Sequence, residues 1–510
     1  MTRLTATPAQ AEWINQFVNT DATGGILGLG TGVGKTFVGT EIARLRKAKR
    51  VLIMGPQSTF DSWASTVYWQ TGRKLKRCAN NAFTFNYVPD PNNRDETVEV
   101  KLSAKVCQSN LAKAQAGEEG WYFVTRELFT SQDWERKPVF KRVDSERVPV
   151  IDPKTKKQKT ARHRKGIWDQ KGKHPFDVVI LDENQNFAKA GNIGQQSFAA
   201  LHGFKIASSA DWFGSQLENM YTVARDVYGE ESLGMNRAQF VEDYMVTEYD
   251  HFAFTKKAIV AEQIPGLFAS ELPLYVTAPP SVTPPEPENR IITLSRAERE
   301  LYDQLEHNYV AMVDDKVLNI EVPLALRIRL RELSLGMFRV EETGEFTEDG
   351  IEKTTIQFDP GAPSSKLEEV KSIMSDHPGK KFIIYSHSAK WCRKVAAELG
   401  IQAWTGGLND KEKAAIKKDF IQGDLQAFTA TAETMGTGTD GLQAVCHNVI
   451  VASPSDQALV NTQAISRVAR QGQEHQVNVW NLIARNTYDQ GVISTLNKKV
   501  ATNNGAKGWG

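Results

Sequence analysis

GILGLGTGVGKT, at residues 25–36, is the stretch from which the fold is read. An apolar run enters a glycine-rich turn, and TFVGTEIARLRKAKR (36–50) leaves it with helical periodicity. Successive backbone N–H groups in such a turn point inward and can hold phosphate oxygens. The amino end of the following helix adds its partial positive charge. Lys35 is placed to reach the β- and γ-phosphates of a nucleotide, and the Thr36 hydroxyl to reach magnesium. Leu29 stands where the strict pattern has its first glycine, but Gly28, Gly30, Gly32 and Gly34 keep the turn permissive. The alternative is a glycine-rich turn that binds nothing.

Outward from this loop, short apolar runs recur. RVLIMGP (50–56), WYFVT (121–125), FDVVILDE (176–183), KFIIYS (381–386) and HNVIVASP (447–454) read as buried parallel strands. Helical stretches such as SAKWCRKVAAELG (388–400) lie between them. Strands alternating with helices predict α/β sheets flanked by helices, here in two clusters. The expected organisation is a first lobe over 1–230, with a strongly basic insertion at 131–175 that is densest at 152–166. A helical insertion and proline-rich linker follow over 231–340, then a second lobe over 341–510. No strand ladder is visible at 231–275. TAPPSVTPPEPE (277–288) reads as an extended connector, and 294–313 and 321–338 read as helices. Residues 340–363 are acidic and turn-rich.

Composition sets limits on function. The 510 residues carry 62 basic and 61 acidic side chains, so any nucleic-acid footprint has to be local. Cys78, Cys107, Cys392 and Cys446 form no close pair, which leaves no zinc-ribbon or redox motif. The opening MTRLTATPAQAEW lacks the apolar core of a signal peptide, and no apolar run approaches the ~20 residues that span a bilayer. The expectation is a cytoplasmic protein with no membrane partner.

Two further patterns carry chemistry. FDVVILDENQ (176–185) is a strand ending in two carboxylates, where a nucleotide site has its second magnesium contact. Asp182 would hold the metal, and Glu183 would orient and deprotonate the attacking water. Acids are also common wherever a strand meets solvent. QAISRVARQGQ (463–473) spaces Gln463, Arg467 and Arg470 by four and three residues, one face of a helix. Paired guanidinium groups suit the charge of a phosphoryl transition state, and an exposed basic helix face is the alternative.

With these pieces in order, the chain resembles the Swi/Snf-type ATPases of helicase superfamily 2, including shorter phage and viral relatives, from about residue 7 to about residue 498. TPAQAEW (7–13) is similar to the family's adenine-reading start, with Gln10 in the glutamine position. MGPQSTFDSW (54–63), VTREL (124–128) and KIASSADWFGSQLENMY (205–221) resemble its next strand motif, its threonine-bearing DNA contact and its coupling motif. In the second half, FIIYSHS (382–388), WTGGLNDKEKAAIKKDFIQGD (404–424), TAETMGTGTDGLQAVCHNVIVASP (431–454) and the 463–493 arginine box resemble the later motifs. The chain departs from the pattern at Gln185, where relatives usually carry His, at Ala210, where many carry Pro, and by an extra residue around Asp440 and Gly441.

The resemblance implies two RecA-like P-loop lobes and ATP with magnesium as cofactors. Gln10, Gly32, Gly34, Lys35, Thr36, Asp182 and Glu183 come from the first lobe, and Gly438, Gln463, Arg467 and Arg470 from the second. It implies a DNA-dependent ATPase moving on double-stranded DNA, with phosphate contacts at Ser58, Thr125, Lys390 and Thr434. The basic segment 152–166 would be either an added electrostatic grip or a solvated loop. A phage or bacterial source is expected, with the host cytoplasm as the setting if phage-encoded. Three alternatives stay open: a strand-separating helicase on branched DNA or RNA–DNA hybrids, whose wedge would have to come from 340–363; a non-motor DNA-binding scaffold with weak ATPase; and the motor part of a restriction or packaging system, whose cleavage would need a partner chain.

Overall fold

The computed structural model describes residues 3–509 except 94–95, 131, 139, 144–145, 150–157, 159, 167–174, 190, 192, 215, 250–256, 309, 314–315, 320–322, 347–351 and 436–440. The chain divides into two compact units, 1–278 with 506–509, and 279–505.

The first unit is built on a seven-stranded sheet. Its spatial order is Tyr275–Ala278, Gly24–Leu29, His202–Ser208, Pro175–Asp182, Arg50–Gly55, Gly120–Thr125 and Lys76–Arg77. Every pairing is parallel. Parallel strands are covered on both faces, which is why these runs are continuously apolar rather than alternating. Val51, Leu52, Ile53 and Met54 are fully buried, as are Tyr122, Phe123 and Val124. Each such side chain contributes about 1.5–3 kcal/mol. The helix Lys35–Leu45 packs in this core through Val38, Ile42 and Ala43. It ends short of the expected residue 50, because Lys47 takes a left-handed φ of 57° and Arg50 already begins the next strand.

The second unit holds a six-stranded parallel sheet in the order Glu288–Ile292, Asn478–Ala484, Asn448–Ser453, Phe382–Ser386, Ala427–Thr431 and Gln402–Trp404. The helix Asp410–Gln422 starts where Asn409 and Glu412 form a reciprocal cap. Lys366 is wholly buried and pairs with Asp489 at 2.6 Å, while Ser334 also donates to Asp489. The architecture is α/β, with large parallel sheets flanked by helices, consistent with RecA-like lobes.

The expected middle segment, 231–340, is divided between the units. Tyr275–Ala278 pairs with Gly24–Leu29 as an edge strand, so the chain belongs to the first unit through the start of the proline-rich stretch. Glu288–Ile292 pairs with Asn478–Ala484 in the second, leaving 279–287 as the connector. The segment is also less helical than expected. Met245–Tyr249 pairs with Lys257–Glu262, and Val310–Val313, read as the end of a helix, pairs instead with Lys316–Asn319. Helices do occupy Arg296–Asn308 and Pro323–Leu333. Within the basic insertion, Gln132–Pro138 pairs with Thr160–Gly166, and Phe140–Val143 with Glu146–Pro149. Most of 152–159 lies outside the described residues.

Residues 506–509 return to the first unit. Lys507 Nζ stands 2.6 Å from Asp211 Oδ1, the Tyr275 hydroxyl donates to the Lys507 carbonyl at 3.0 Å, and the Trp509 indole donates to the Thr277 hydroxyl. No described helix is long and apolar enough to cross a membrane.

Candidate nucleotide site

The strands of the first sheet end level with one another at their carboxyl edge. Leu27 and Asp182 both register with Ser208, Met54 with Leu181, and Gly55 with Thr125. The loops that follow therefore meet at one edge, the position at which open α/β sheets take ligands.

The turn after Gly24–Leu29 needs its glycines at two points. Gly32 and Gly34 have φ of 79° and 90°, where an L side chain is strained. A Cβ at Gly34 would also lie 2.6 Å from Gln10 Nε2. Gly34 caps the helix Lys35–Leu45 and brings no side chain to its first-turn N–H groups. Lys35 folds back over the turn, its ammonium donating to the Leu29 and Gly30 carbonyls at 3.1 Å each. Thr36 is half-buried as the second residue of the helix. Gln10 reaches the loop from the other side. Its amide donates to the Val33 carbonyl at 2.9 Å and accepts from the Thr7 N–H at 3.0 Å.

Asp182 is the last residue of its strand and is buried. The Trp63 indole donates to its Oδ2 at 2.8 Å. Burial, then the neighbouring Glu183 charge, push its carboxyl up to about 6, while the Trp63 hydrogen bond and the Lys35 ammonium pull the other way. Glu183 takes a left-handed φ of 54°, a conformation that costs about 1–2 kcal/mol for a residue with a side chain. Its carboxylate accepts from Gln185 Nε2 at 2.6 Å. The Ser209 hydroxyl donates to Gln185 Oε1 at 2.6 Å, and the Asp211 N–H donates to Ser209 at 3.1 Å. The acidic pair is thus tied through Gln185 to the motif at 205–221, and through Asp211 to Lys507.

The second unit corrects one expectation. The helix Ala458–Ile465 contains Gln463 but stops before Arg467 and Arg470, so the three do not share a helical face. The backbone tightens instead, with Arg467 N donating to Ala464 O at 3.2 Å and Val468 N to Ile465 O at 3.0 Å. Val468 and Ala469 turn into the core, and Gly472 takes a φ of 90° on the way to the strand Asn478–Ala484. Gln463, Arg467 and Arg470 are all half-buried. Gly438 lies outside the described residues.

Of the four expected DNA contacts, Ser58 is exposed. The Thr125 hydroxyl caps the turn Arg126–Phe129, accepting from Leu128 N at 3.4 Å. Lys390 donates to the Thr355 hydroxyl and to the Ile356 carbonyl at 2.6 Å, and Thr434 donates to the Trp404 carbonyl at 3.0 Å. These last three polar groups are engaged within the protein.

Reading residue types by position missed Trp63, Ser209 and Lys507. The first two fall inside quoted motifs, MGPQSTFDSW and KIASSADWF, but nothing in their spacing points them at a carboxylate or an amide. Lys507 has no local signal at all, since its partner is 296 positions away.

The residues present fit a magnesium nucleotide. The glycine turn, uncapped helix start and Lys35 suit phosphate oxygens. Thr36 and Asp182 offer the hard oxygen ligands that magnesium takes together with phosphates and water.

No family model matches the chain. Over 147 residues, 27% of the chain, it is 26% identical to an ATP-dependent helicase of Schizosaccharomyces pombe. Over 205 residues it is 25% identical to the DNA repair protein RAD5 of Kluyveromyces lactis, and over 147 residues 23% identical to that of Gibberella zeae. The matched regions span 14%, 18% and 13% of those proteins. Among solved structures, the C-terminal part of the Fun30 ATPase domain covers 41% of the chain at 17% identity. Its TM-score of 0.31 is too low to bear on the fold.

Proposed function

We propose that the chain is an ATP-hydrolysing motor of the Swi/Snf type, driven by DNA and moving on the double helix. The observation that carries this reading is the meeting of Lys35, Asp182 and Glu183 at one sheet edge, with Glu183 tied through Gln185 and Ser209 to the strand between the loop and the acidic pair. The partial similarity to an ATP-dependent helicase and to DNA repair proteins supports it. We assign the same setting as the sequence suggests, the cytoplasm of a bacterium or of a phage-infected cell.

In this reading the loop N–H groups and Lys35 hold the β- and γ-phosphates, and Thr36 and Asp182 hold magnesium. Bound magnesium neutralises phosphate charge during transfer. Glu183 accepts the proton of the attacking water, and Gln185 fixes the carboxylate that does so. Gly438, Gln463, Arg467 and Arg470 are assigned to the nucleotide through the resemblance alone, the arginines balancing transition-state charge. Ser58, Thr125, Lys390 and Thr434 are assigned to DNA phosphates, the last three after release from their internal partners.

One observation favours the strand-separating alternative. Arg339–Phe346 pairs with Glu352–Gln357 as an antiparallel ribbon in the region where a wedge would have to lie. The ribbon is rich in acid, with Glu341, Glu342, Glu345 and Glu352, and like charge would repel a phosphate backbone. We therefore keep duplex translocation as the function.

The test is the steady-state ATPase rate without nucleic acid and with single-stranded DNA, duplex DNA or RNA, beside a Glu183→Gln control. Stimulation by duplex DNA that the control lacks supports the proposal. Preferential stimulation by single strands or RNA transfers it to the strand-separating reading. No hydrolysis under any condition rejects the motor.

A further inference from the structure

Trp63 lies on the helix Phe60–Thr71, one short turn beyond the strand Arg50–Gly55. The side chain is fully buried, and its ring packs over Gly39, where a Cβ would stand 3.2 Å from the indole edge. A buried indole N–H usually finds an acceptor, although those of Trp121 and Trp404 have none among the described residues. Trp69 and Trp391 use backbone carbonyls, those of Val88 and Leu335. Trp63 instead donates to a carboxylate, Asp182 Oδ2, at 2.8 Å.

The surroundings make this contact specific. A Cβ at Gly55 would come 3.2 Å from Asp182 Cβ and 3.4 Å from Oδ2, so the missing side chain keeps open the space in which the acid and the indole meet. Thr59, at the same neck, turns its hydroxyl onto the Pro56 carbonyl at 2.9 Å and stands as a second, weaker hydrogen-bonding group beside the Asp182 carboxyl. The helix carrying Trp63 is itself fixed by Phe60, which meets Phe83, Phe85 and Phe123 edge-on. A rigid donor on a rigid helix commits one carboxylate oxygen and thereby sets the direction of the other.

We propose that Trp63 is a positioning residue for Asp182, holding Oδ2 so that the second oxygen faces magnesium at the nucleotide. This rests on the reading of the sheet edge as a magnesium-nucleotide site. The indole acts through the aspartate and touches neither metal nor phosphate, so its loss alters how magnesium supports nucleotide binding and not how the loop holds phosphate.

The experiment replaces Trp63 with benzothienylalanine, which keeps the two-ring shape but has sulfur in place of the N–H, with Trp63→Phe as a second variant. Binding of mant-ADP is titrated in EDTA and across a magnesium chloride series, in the wild type and on an Asp182→Asn background. The expected result is a rise of about tenfold in the magnesium concentration that half-saturates the effect, the size of one hydrogen bond to a charged group. Affinity in EDTA should stay unchanged, and the substitution should have no further effect on the Asp182→Asn background. Unchanged magnesium dependence in a folded benzothienylalanine protein overturns the positioning role, as does an equal loss with and without magnesium. If the wild type itself binds mant-ADP without regard to magnesium, the nucleotide-site reading fails and takes this inference with it.

Discussion

Gln185 Nε2 donates to Glu183 Oε2 at 2.6 Å across a single intervening residue, while its other amide atom accepts from the Ser209 hydroxyl. A glutamine does here what an imidazole would do only in one protonation state, so the link persists through neutral pH. Gln185→Ala frees the Glu183 carboxylate without removing it. The expected outcome is a fall in kcat of about tenfold or more with KM for ATP little changed, against a loss of about 10²–10⁴ for Glu183→Gln. Steady-state kinetics of the two variants side by side check this.

Gly34 joins a φ of 90° to a Cβ position 2.6 Å from Gln10 Nε2. Gly34→Ala should lower mant-ADP affinity by at least about tenfold, and Gln10→Ala on the same chain should not restore it, because the backbone strain remains after the clash is relieved. Recovery in the double variant would show the clash alone to be at fault.

Lys366 and Asp489 form a pair in which both side chains are almost wholly buried. Asp489 also accepts from Ser334 and from the Ala484 N–H. Asp489→Asn leaves the ammonium without its counter-charge and should destabilise the second unit by about 3–5 kcal/mol. Replacing both residues with apolar ones of similar size should cost much less. Calorimetric unfolding of the three proteins separates the cases.

Lys205, on the strand His202–Ser208, is buried, its ammonium donating to the carbonyls of Ala199 and Asp226. Burial lowers its pKa to about 8, the Asp226 charge opposing that shift. The folded chain holds this proton more weakly than the unfolded chain, so unfolding takes up a proton between pH 8 and about 10.5. The contribution of Lys205 to stability therefore rises with pH through that window, by about 3 kcal/mol at most. Urea unfolding of the wild type against Lys205→Met should show the difference between them shift in favour of the wild type as pH is raised. A difference that stays constant from pH 7.5 to 10 would count against the buried charge.

How far the sequence could be read depended on the range of the interaction that decides each feature. The strands at 50–56, 121–125, 176–183, 381–386 and 447–454 were legible because burial on both faces writes itself as a continuous apolar run. The loop at 25–36 was legible because its glycines answer a local backbone need. VAMV at 310–313 was not, since a short apolar run after a helix carries the same period whether the helix continues or the chain turns back as a ribbon. The spacing of Gln463, Arg467 and Arg470 suggested one helix, and the core's demand for Val468 and Ala469 ended that helix early. The bond between Trp63 and Asp182 joins residues 119 positions apart, and only the packing of a helix on the sheet brings them together.

The return of residues 506–509 to the first unit has a consequence for how the chain is made. Everything else in that unit leaves the ribosome before the second unit is synthesised. Until Lys507 emerges, Asp211 lacks its ammonium partner and the Thr277 hydroxyl has no indole to accept from. The first unit can collapse early around its sheet but is closed only after residues 279–505 have followed it out, so a nascent chain has a stretch of synthesis in which this sheet is complete and still unfastened.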